Sequence, residues 1–348
     1  MAVRDSDPLR VGVLGTRAGL VHVHAWRSVP GVEVVGLAGR DTSCAALAGA
    51  ALDVPGVAGL GALLELGVDV VSVALPPVPQ ALALATLVGG EIPFVVEPPV
   101  GARSTQTSVL ARSVAQVGLA HGVALTLPTM ATFERTRALA LGGELGPLRS
   151  VAVVHRERSW SHVRRRPTWR QSLASGGGVL ATMGSPVFHA LATLFGPRSG
   201  AIDATIDDAA TRAVALDGAD VAEDKIDVDL RFGEVVASVH LSSVWEGSPG
   251  HRWDFELDGG SLRIDVCDVG GTRLSIARRG GVLREILREP IDEELDERGA
   301  ALRPILAGLA GALRGRPSPI PTLSDLARAQ ELGAEARRAA EAGVGLAA

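Results

Sequence analysis

Over the first 125 residues or so, short runs of β-branched and aliphatic residues alternate with longer alanine- and leucine-rich stretches of helical period. That rhythm predicts a parallel sheet covered on both faces, with strands at 10–14, 32–37, 68–74, 92–96 and 123–127 and helices near 19–29, 42–51, 78–89 and 103–119. Right-handed crossovers place all the strand carboxyl ends on one edge, where an open α/β sheet takes its ligand. From about Leu148 the pattern turns strand-rich. Val151 to His155 reads as a strand, followed by an arginine-rich loop and a helix from about Gly178 to Phe195. Several strands follow, among them 225–232 and 234–241 joined by a tight turn at Gly233, so the sheet is expected to be open and mostly antiparallel. Helices near 298–314 and 323–341, separated by the linker Pro317 to Pro321, close the chain. The expectation is an α/β protein of two domains, 1–125 and 126–348.

Composition narrows the function without choosing it. A length of 348 residues suits two domains, and the excess of 39 acidic over 34 basic residues leaves a net charge of −5, so no global basic surface points to nucleic acid. No uninterrupted apolar run approaches the ~18 residues of a membrane helix, and the start Met1 to Asp5 has no apolar signal region, which reads as cytoplasmic. Cys44 and Cys267 fall in different predicted domains without metal-ligand spacing, so neither a disulfide nor a metal site is expected. Asp207-Asp208 reads as an exposed turn. Lys225 is the only lysine and tyrosine is absent, which removes two common proton donors of reductases.

The first strand leads into Gly15-Thr16-Arg17-Ala18-Gly19-Leu20-Val21-His22, a dinucleotide-type turn keeping the first and last of the usual three glycines. Gly15 permits the tight turn and Gly19 a close approach of helix to strand. Arg17 stands where a glycine normally admits the pyrophosphate and offers a guanidinium instead. A strand-to-helix turn in any α/β protein is the competing reading. The second strand ends at Ala38-Gly39-Arg40-Asp41, where Arg40 beside the small Gly39 suits a ribose 2′-phosphate, favouring NADP over NAD, unless Arg40 simply faces solvent. His22 and His24 begin the first helix, either to orient the cofactor loop or, the plainer reading, in packing or exposure.

Together with Leu75-Pro76-Pro77, Glu97-Pro98-Pro99, Gly143-Glu144-Leu145-Gly146 and the run from Trp169-Arg170 to Gly176-Gly177-Gly178, this turn resembles the Gfo/Idh/MocA oxidoreductase family over nearly the whole chain. The resemblance implies a Rossmann-like dinucleotide-binding domain in which Gly15, Thr16, Arg17, Ala18, Gly19, Arg40, Leu75, Pro76, Glu97 and Pro98 meet the cofactor. It also implies a substrate domain whose open sheet supports a homo-oligomer and whose C-terminal helix returns to the first domain.

The departures from the family fall at its chemistry. Glu97-Pro98-Pro99 matches a Glu-Lys-Pro turn with the lysine replaced by Pro98, and the family's aspartate, glycine, histidine and second aspartate correspond to Thr182, Gly184, Pro186 and His189. Alcohol oxidation needs a group that takes the hydroxyl proton near the working pH, and neither proline nor threonine is one. His189, on the same predicted helix face as Thr182 and Met183, is the first acid/base candidate; His155 and the retained Glu97 follow. A structural His189 and a loop-positioning Glu97 are the bland alternatives. Trp160, Arg164, Trp169, Arg170 and Thr182 are candidates for gripping a small substrate, against a solvated loop or subunit-contact arm. Three functions stand: an NAD(P)-dependent oxidoreductase of a small polar or biosynthetic intermediate, a non-redox cyclase, lyase or isomerase that needs no cofactor turnover, and a catalytically silent binding or partner subunit.

Overall fold

The computed structural model describes residues 7–207, 220–266, 271–289, 295, 297–316 and 319–346. Asp208, Cys267 and the linker residues Pro317 and Ser318 lie outside the described residues. The chain forms two compact units, residues 1–126 with 291–327 and residues 127–290 with 328–348.

In the first unit β1 (Leu9–Leu14), β2 (Val32–Gly39), β3 (Gly56–Ala58), β4 (Val70–Val73), β5 (Phe94–Val96) and β6 (His121–Val123) form one parallel sheet in the order β3-β2-β1-β4-β5-β6. Around it lie α1 (Ala18–Arg27), α2 (Thr42–Ala51), α3 (Gly59–Leu64), α4 (Pro77–Gly89), α5 (Ser104–Val117) and, from late in the chain, α9 (Glu297–Leu313). Strands covered on both faces read as continuous apolar runs, and Val70 to Val73 is buried throughout. On one face Val11 and Val13 pack with Trp26 of α1 and Leu302, Ile305 and Leu309 of α9. On the other, Val71, Val73 and Phe94 meet Leu84 and Leu87 of α4. The chain reverses its direction of winding between β1 and β4, which opens a crevice at their carboxyl ends. Two elements escaped the sequence pattern, β3 and α3, because three and six residues are too few to display a period. The strand expected at 123–127 pairs only over His121–Val123, after which Leu127–Thr129 forms a 3₁₀ turn.

The second unit holds an eight-stranded sheet of β7 (Leu148–Arg156), β8 (Ser199–Asp207), β9 (Lys225–Phe232), β10 (Val235–Ser242), β11 (Gly250–Leu257), β12 (Gly260–Val266), β13 (Arg273–Arg278) and β14 (Arg284–Arg288). Its order is β14-β13-β12-β11-β7-β10-β9-β8, antiparallel except for the pair β7 and β10. β9 shows why one face is covered: Ile226, Val228, Leu230 and Phe232 are buried while Asp227, Asp229 and Arg231 between them are exposed. The covered face packs against α6 (Ala131–Leu141), α8 (Ser185–Phe195) and the later part of α10 (Leu323–Leu346), with Phe133 edge-on to Trp253 at 5.1 Å. The open face is polar, carrying the contact of Asp227 with His240 and the ion pairs of Asp254 with Arg252 and Arg263. A short α7 (Trp160–Arg164) lies within the arginine-rich loop.

The helix expected from Gly178 is interrupted. Leu180–Gly184 is a π-helical turn before α8 begins. Pro186 has no N–H to give the carbonyl of Thr182, so the α-helical ladder cannot run through that turn. Although Leu173–Phe195 is apolar and long enough by composition to cross a membrane, its side chains Leu180, Met183, Val187, Phe188 and Leu191 sit in the core of the second unit.

Glu223 anchors this region. Its side chain has no exposed surface, Oε1 accepts the Leu180 N–H at 2.9 Å and Oε2 lies 2.5 Å from the Arg337 guanidinium of α10. Gly178 has φ +101°, and a Cβ there would lie 2.3 Å from the Glu223 carboxylate, so no side chain fits. Arg337→Ala strands a buried carboxylate and is expected to destabilise the protein by about 3 kcal/mol in urea unfolding. Adding Glu223→Gln should recover part of that loss, because a neutral amide needs less compensation.

Candidate functional site

Gly15 follows β1 at the point where the sheet order reverses. Its φ is +136° and a Cβ would lie 2.3 Å from the Ala74 carbonyl oxygen at the end of β4, so glycine alone lets the two strand ends approach. Its N–H donates to the Ala38 carbonyl at 2.8 Å, which draws in the end of β2 as well. The helix α1 then starts at Ala18 with no side-chain cap on its first N–H groups and no acidic residue in its first turn. Unguarded N–H groups at the positive end of a helix, beneath a glycine turn, fit the pyrophosphate of a dinucleotide. Arg17, exposed at the cap position, stands beside them. At the end of β2, Arg40 is exposed, while the Asp41 carboxylate accepts the Cys44 N–H at 2.9 Å as the cap of α2. That hydrogen bond holds the Asp41 carboxyl below its usual range.

Beside this turn the structure assembles a buried polar group that the sequence pattern did not reveal. Gln80 of α4, fully buried, accepts the Leu75 N–H at 3.1 Å and donates to the carbonyls of Glu97 and Pro99 at 2.6 and 2.9 Å. The end of β4 is thereby tied to the Glu97-Pro98-Pro99 turn, whose Pro98–Pro99 bond is cis. His22 is also fully buried; its Nδ1 lies 2.7 Å from Ser72 Oγ and its Nε2 2.8 Å from Glu97 Oε1. Arg298 of α9 stands 3.7 Å from the same Glu97 oxygen. His24 is exposed. The signal was present in the spacing: Gly19, His22, Val23 and Trp26 fall at helical period on one buried face, which turns His22 inward and His24 outward.

In the second unit Arg170 and Thr182 meet in a small polar cavity also lined by Glu157, Ser159, Gln171, Glu223 and Ser243. The Thr182 hydroxyl donates to the Gly178 carbonyl at 2.8 Å, and the Arg170 guanidinium lies 4.8 Å from the centre of the Trp169 ring. Trp160 is 56% exposed and Arg164 is exposed, and neither lines the cavity. His189, half-buried on α8, is not among the lining residues either. Thr182 itself lies within the π-helical turn Leu180–Gly184 that precedes α8.

His155 ends β7 stacked flat on His251 of β11, with ring centres 4.1 Å apart. The Trp253 indole N–H donates to His251 Nε2 at 2.9 Å, which places the His251 proton on Nδ1. Burial pushes His155 down to about 4 and His251 well below its ordinary value, the latter also by repulsion from His155. Both rings are therefore neutral at neutral pH, suited to packing and hydrogen bonding.

Residues 133–263, within the second unit, match the model of the GFO/IDH/MocA C-terminal domain. That segment is therefore similar to a GFO/IDH/MocA C-terminal domain. No curated relative matches it significantly. Solved structures share the fold along nearly the whole chain. GenD2 from gentamicin A biosynthesis, in complex with NAD, is 20% identical with a TM-score of 0.78, covering 99% of this chain and 97% of its own. Levoglucosan dehydrogenase, in complex with NADH and L-sorbose, is 18% identical with a TM-score of 0.78 and coverages of 96% and 97%. The WlbA dehydrogenase from Bordetella pertussis, in complex with NADH and UDP-GlcNAcA, is 17% identical with a TM-score of 0.78 and coverages of 98% and 97%.

The stacked histidines give this chain an acid sensitivity. Between pH 6.5 and about 4 the unfolded chain binds protons that the folded His155 does not, so stability falls as pH drops through that window. Urea unfolding midpoints are expected to decline from neutral pH towards pH 4, and His155→Phe, which keeps the stack and removes one titrating ring, should shallow the decline.

Proposed function

We propose that this chain is a nicotinamide-dependent oxidoreductase of small polar, polyhydroxylated substrates. The carrying observation is the Gly15 turn at the reversal of the parallel sheet, with the uncapped N-terminus of α1 directly after it. The solved structures that share the fold support the reading, since those described above hold NAD or NADH and two of them a sugar or sugar nucleotide. When bound, the cofactor supplies the acceptor or donor of a hydride.

Gly15, Thr16, Arg17, Ala18 and Gly19 receive the pyrophosphate. Arg17 adds a guanidinium in place of the close backbone approach that a central glycine would allow. Leu75 and Pro76, at the end of β4, and Pro98, beyond β5, form the apolar side of the same crevice. Arg40 meets the adenosine ribose. Asp41 is engaged as the cap of α2, and the exposed Arg40 beside it is the group suited to a 2′-phosphate, which favours NADP. In the second unit Arg170, Trp169 and Thr182 offer a cation, a flat apolar wall and a hydroxyl, the set that grips hydroxylated or anionic small molecules.

Titration of the protein with NADPH and NADH, by fluorescence and calorimetry, is expected to show micromolar binding. Arg40→Ala should weaken NADPH by about tenfold or more, the loss of one charge-assisted contact, and leave NADH little changed. Failure of both cofactors to bind in either redox state overturns the reading.

A further inference from the structure

A proline at position 98 leaves the carboxyl edge of the first sheet without an amine, yet the structure places a different titratable chain there. Resting on the oxidoreductase reading, we propose that Ser72, His22 and Glu97 form a proton relay, with Glu97 as the acid/base group of the reaction and His22 as the residue that positions and backs it.

The geometry is continuous over two hydrogen bonds, 2.7 Å from Ser72 Oγ to His22 Nδ1 and 2.8 Å from His22 Nε2 to Glu97 Oε1. Ser72 lies on β4 and His22 on α1, both without exposure, while the Glu97 side chain at the end of β5 keeps 23% of its surface exposed. The relay thus has a buried end and an open end, and the open end stands on the edge of the sheet where the Gly15 turn also lies. With Glu97 ionised, the Ser72 hydroxyl donates to Nδ1 and the Nε2–H donates to the carboxylate. With Glu97 protonated, the same two hydrogen bonds persist with both donors reversed, so the chain carries either proton state without losing a partner. Gln80 fixes the Glu97 backbone through its carbonyl, and Arg298 of α9, 3.7 Å from Oε1, favours the ionised carboxylate electrostatically.

The chemistry balances with one proton. When an alcohol carbon is oxidised, the C–H electron pair leaves with its hydrogen as hydride to the oxidised nicotinamide, the C=O bond forms, and the O–H proton passes to the Glu97 carboxylate. Reduction runs the same transfer backwards. His22 accommodates both states of Glu97 by the reversal of its hydrogen bonds.

The relay predicts a proton linkage that can be read without a substrate. The oxidised nicotinamide ring is a cation and the reduced ring is neutral, so a carboxyl group at the crevice sheds protons beside the first and regains them beside the second. Calorimetry of NADP⁺ and NADPH binding, in buffers of different ionisation heat, should therefore give different proton counts for the two forms in the wild-type protein. Glu97→Gln, at a partly exposed position that tolerates an isosteric amide, should abolish that difference while both forms still bind. In the free protein, imidazole nitrogen NMR should show His22 protonated on Nε2, and this tautomer preference should be lost in Glu97→Gln and kept in Ser72→Ala. Equal proton counts for two forms that both bind, or a difference that survives Glu97→Gln, overturns the relay alone. Binding by neither form overturns the oxidoreductase reading and the role of the relay with it.

Discussion

A polar group taken out of water without a partner costs several kcal/mol, and the carboxyl edge of the first sheet is built around meeting that cost. Gln80 cannot reach solvent, so its amide must find both a donor and acceptors within the fold. It finds a donor in the Leu75 N–H and acceptors in the carbonyls of Glu97 and Pro99, and in doing so clamps the ends of β4 and β5 together. His22 faces the same demand and satisfies it with Ser72 and Glu97. The position of the Glu97 side chain is therefore a consequence of two buried neighbours needing partners.

The second unit obeys the same rule with a full charge. Glu223 is held by a backbone N–H at the head of the π-helical turn and by Arg337 of α10, and glycine at position 178 is the only residue type that leaves it room. Around that carboxylate the cavity that brings Arg170 and Thr182 together takes its shape. Thr182 keeps its hydroxyl hydrogen on the Gly178 carbonyl, a hydrogen bond that anchors the turn and gives the threonine a structural part. Pro186 and the widened turn precede His189 on α8, which does not line that cavity.

In a chain with one lysine and no tyrosine, the proposed proton relay draws on these arrangements. The stacked pair His155 and His251 is kept neutral by burial. The pair His22 and Glu97 joins a buried imidazole to a carboxylate that reaches the surface, which is the arrangement a proton needs in order to enter and leave.

Much of this was legible in the amino-acid order. The parallel sheet and the polar-apolar alternation of β9 arise from periodicity, because burial on two faces or one leaves a period in the chain. The dinucleotide-type turn was readable because Gly15 must adopt a backbone conformation that few residues permit. The sequence left open whether His22 packs or faces solvent, and the structure buries it on one face of α1. The groups it meets there were decided by tertiary structure: Ser72 is 50 residues away and Glu97 is 75, and no local pattern encodes a hydrogen bond between distant elements. The π-helical turn was likewise hidden, since the periodicity of an apolar run assumes a regular ladder and a single proline withdraws one of its bonds. Sequence determined which residues are buried and which backbone turns are possible; only the packing of helix on sheet determined which buried polar groups become partners, because pairing depends on where distant segments are brought within hydrogen-bond reach.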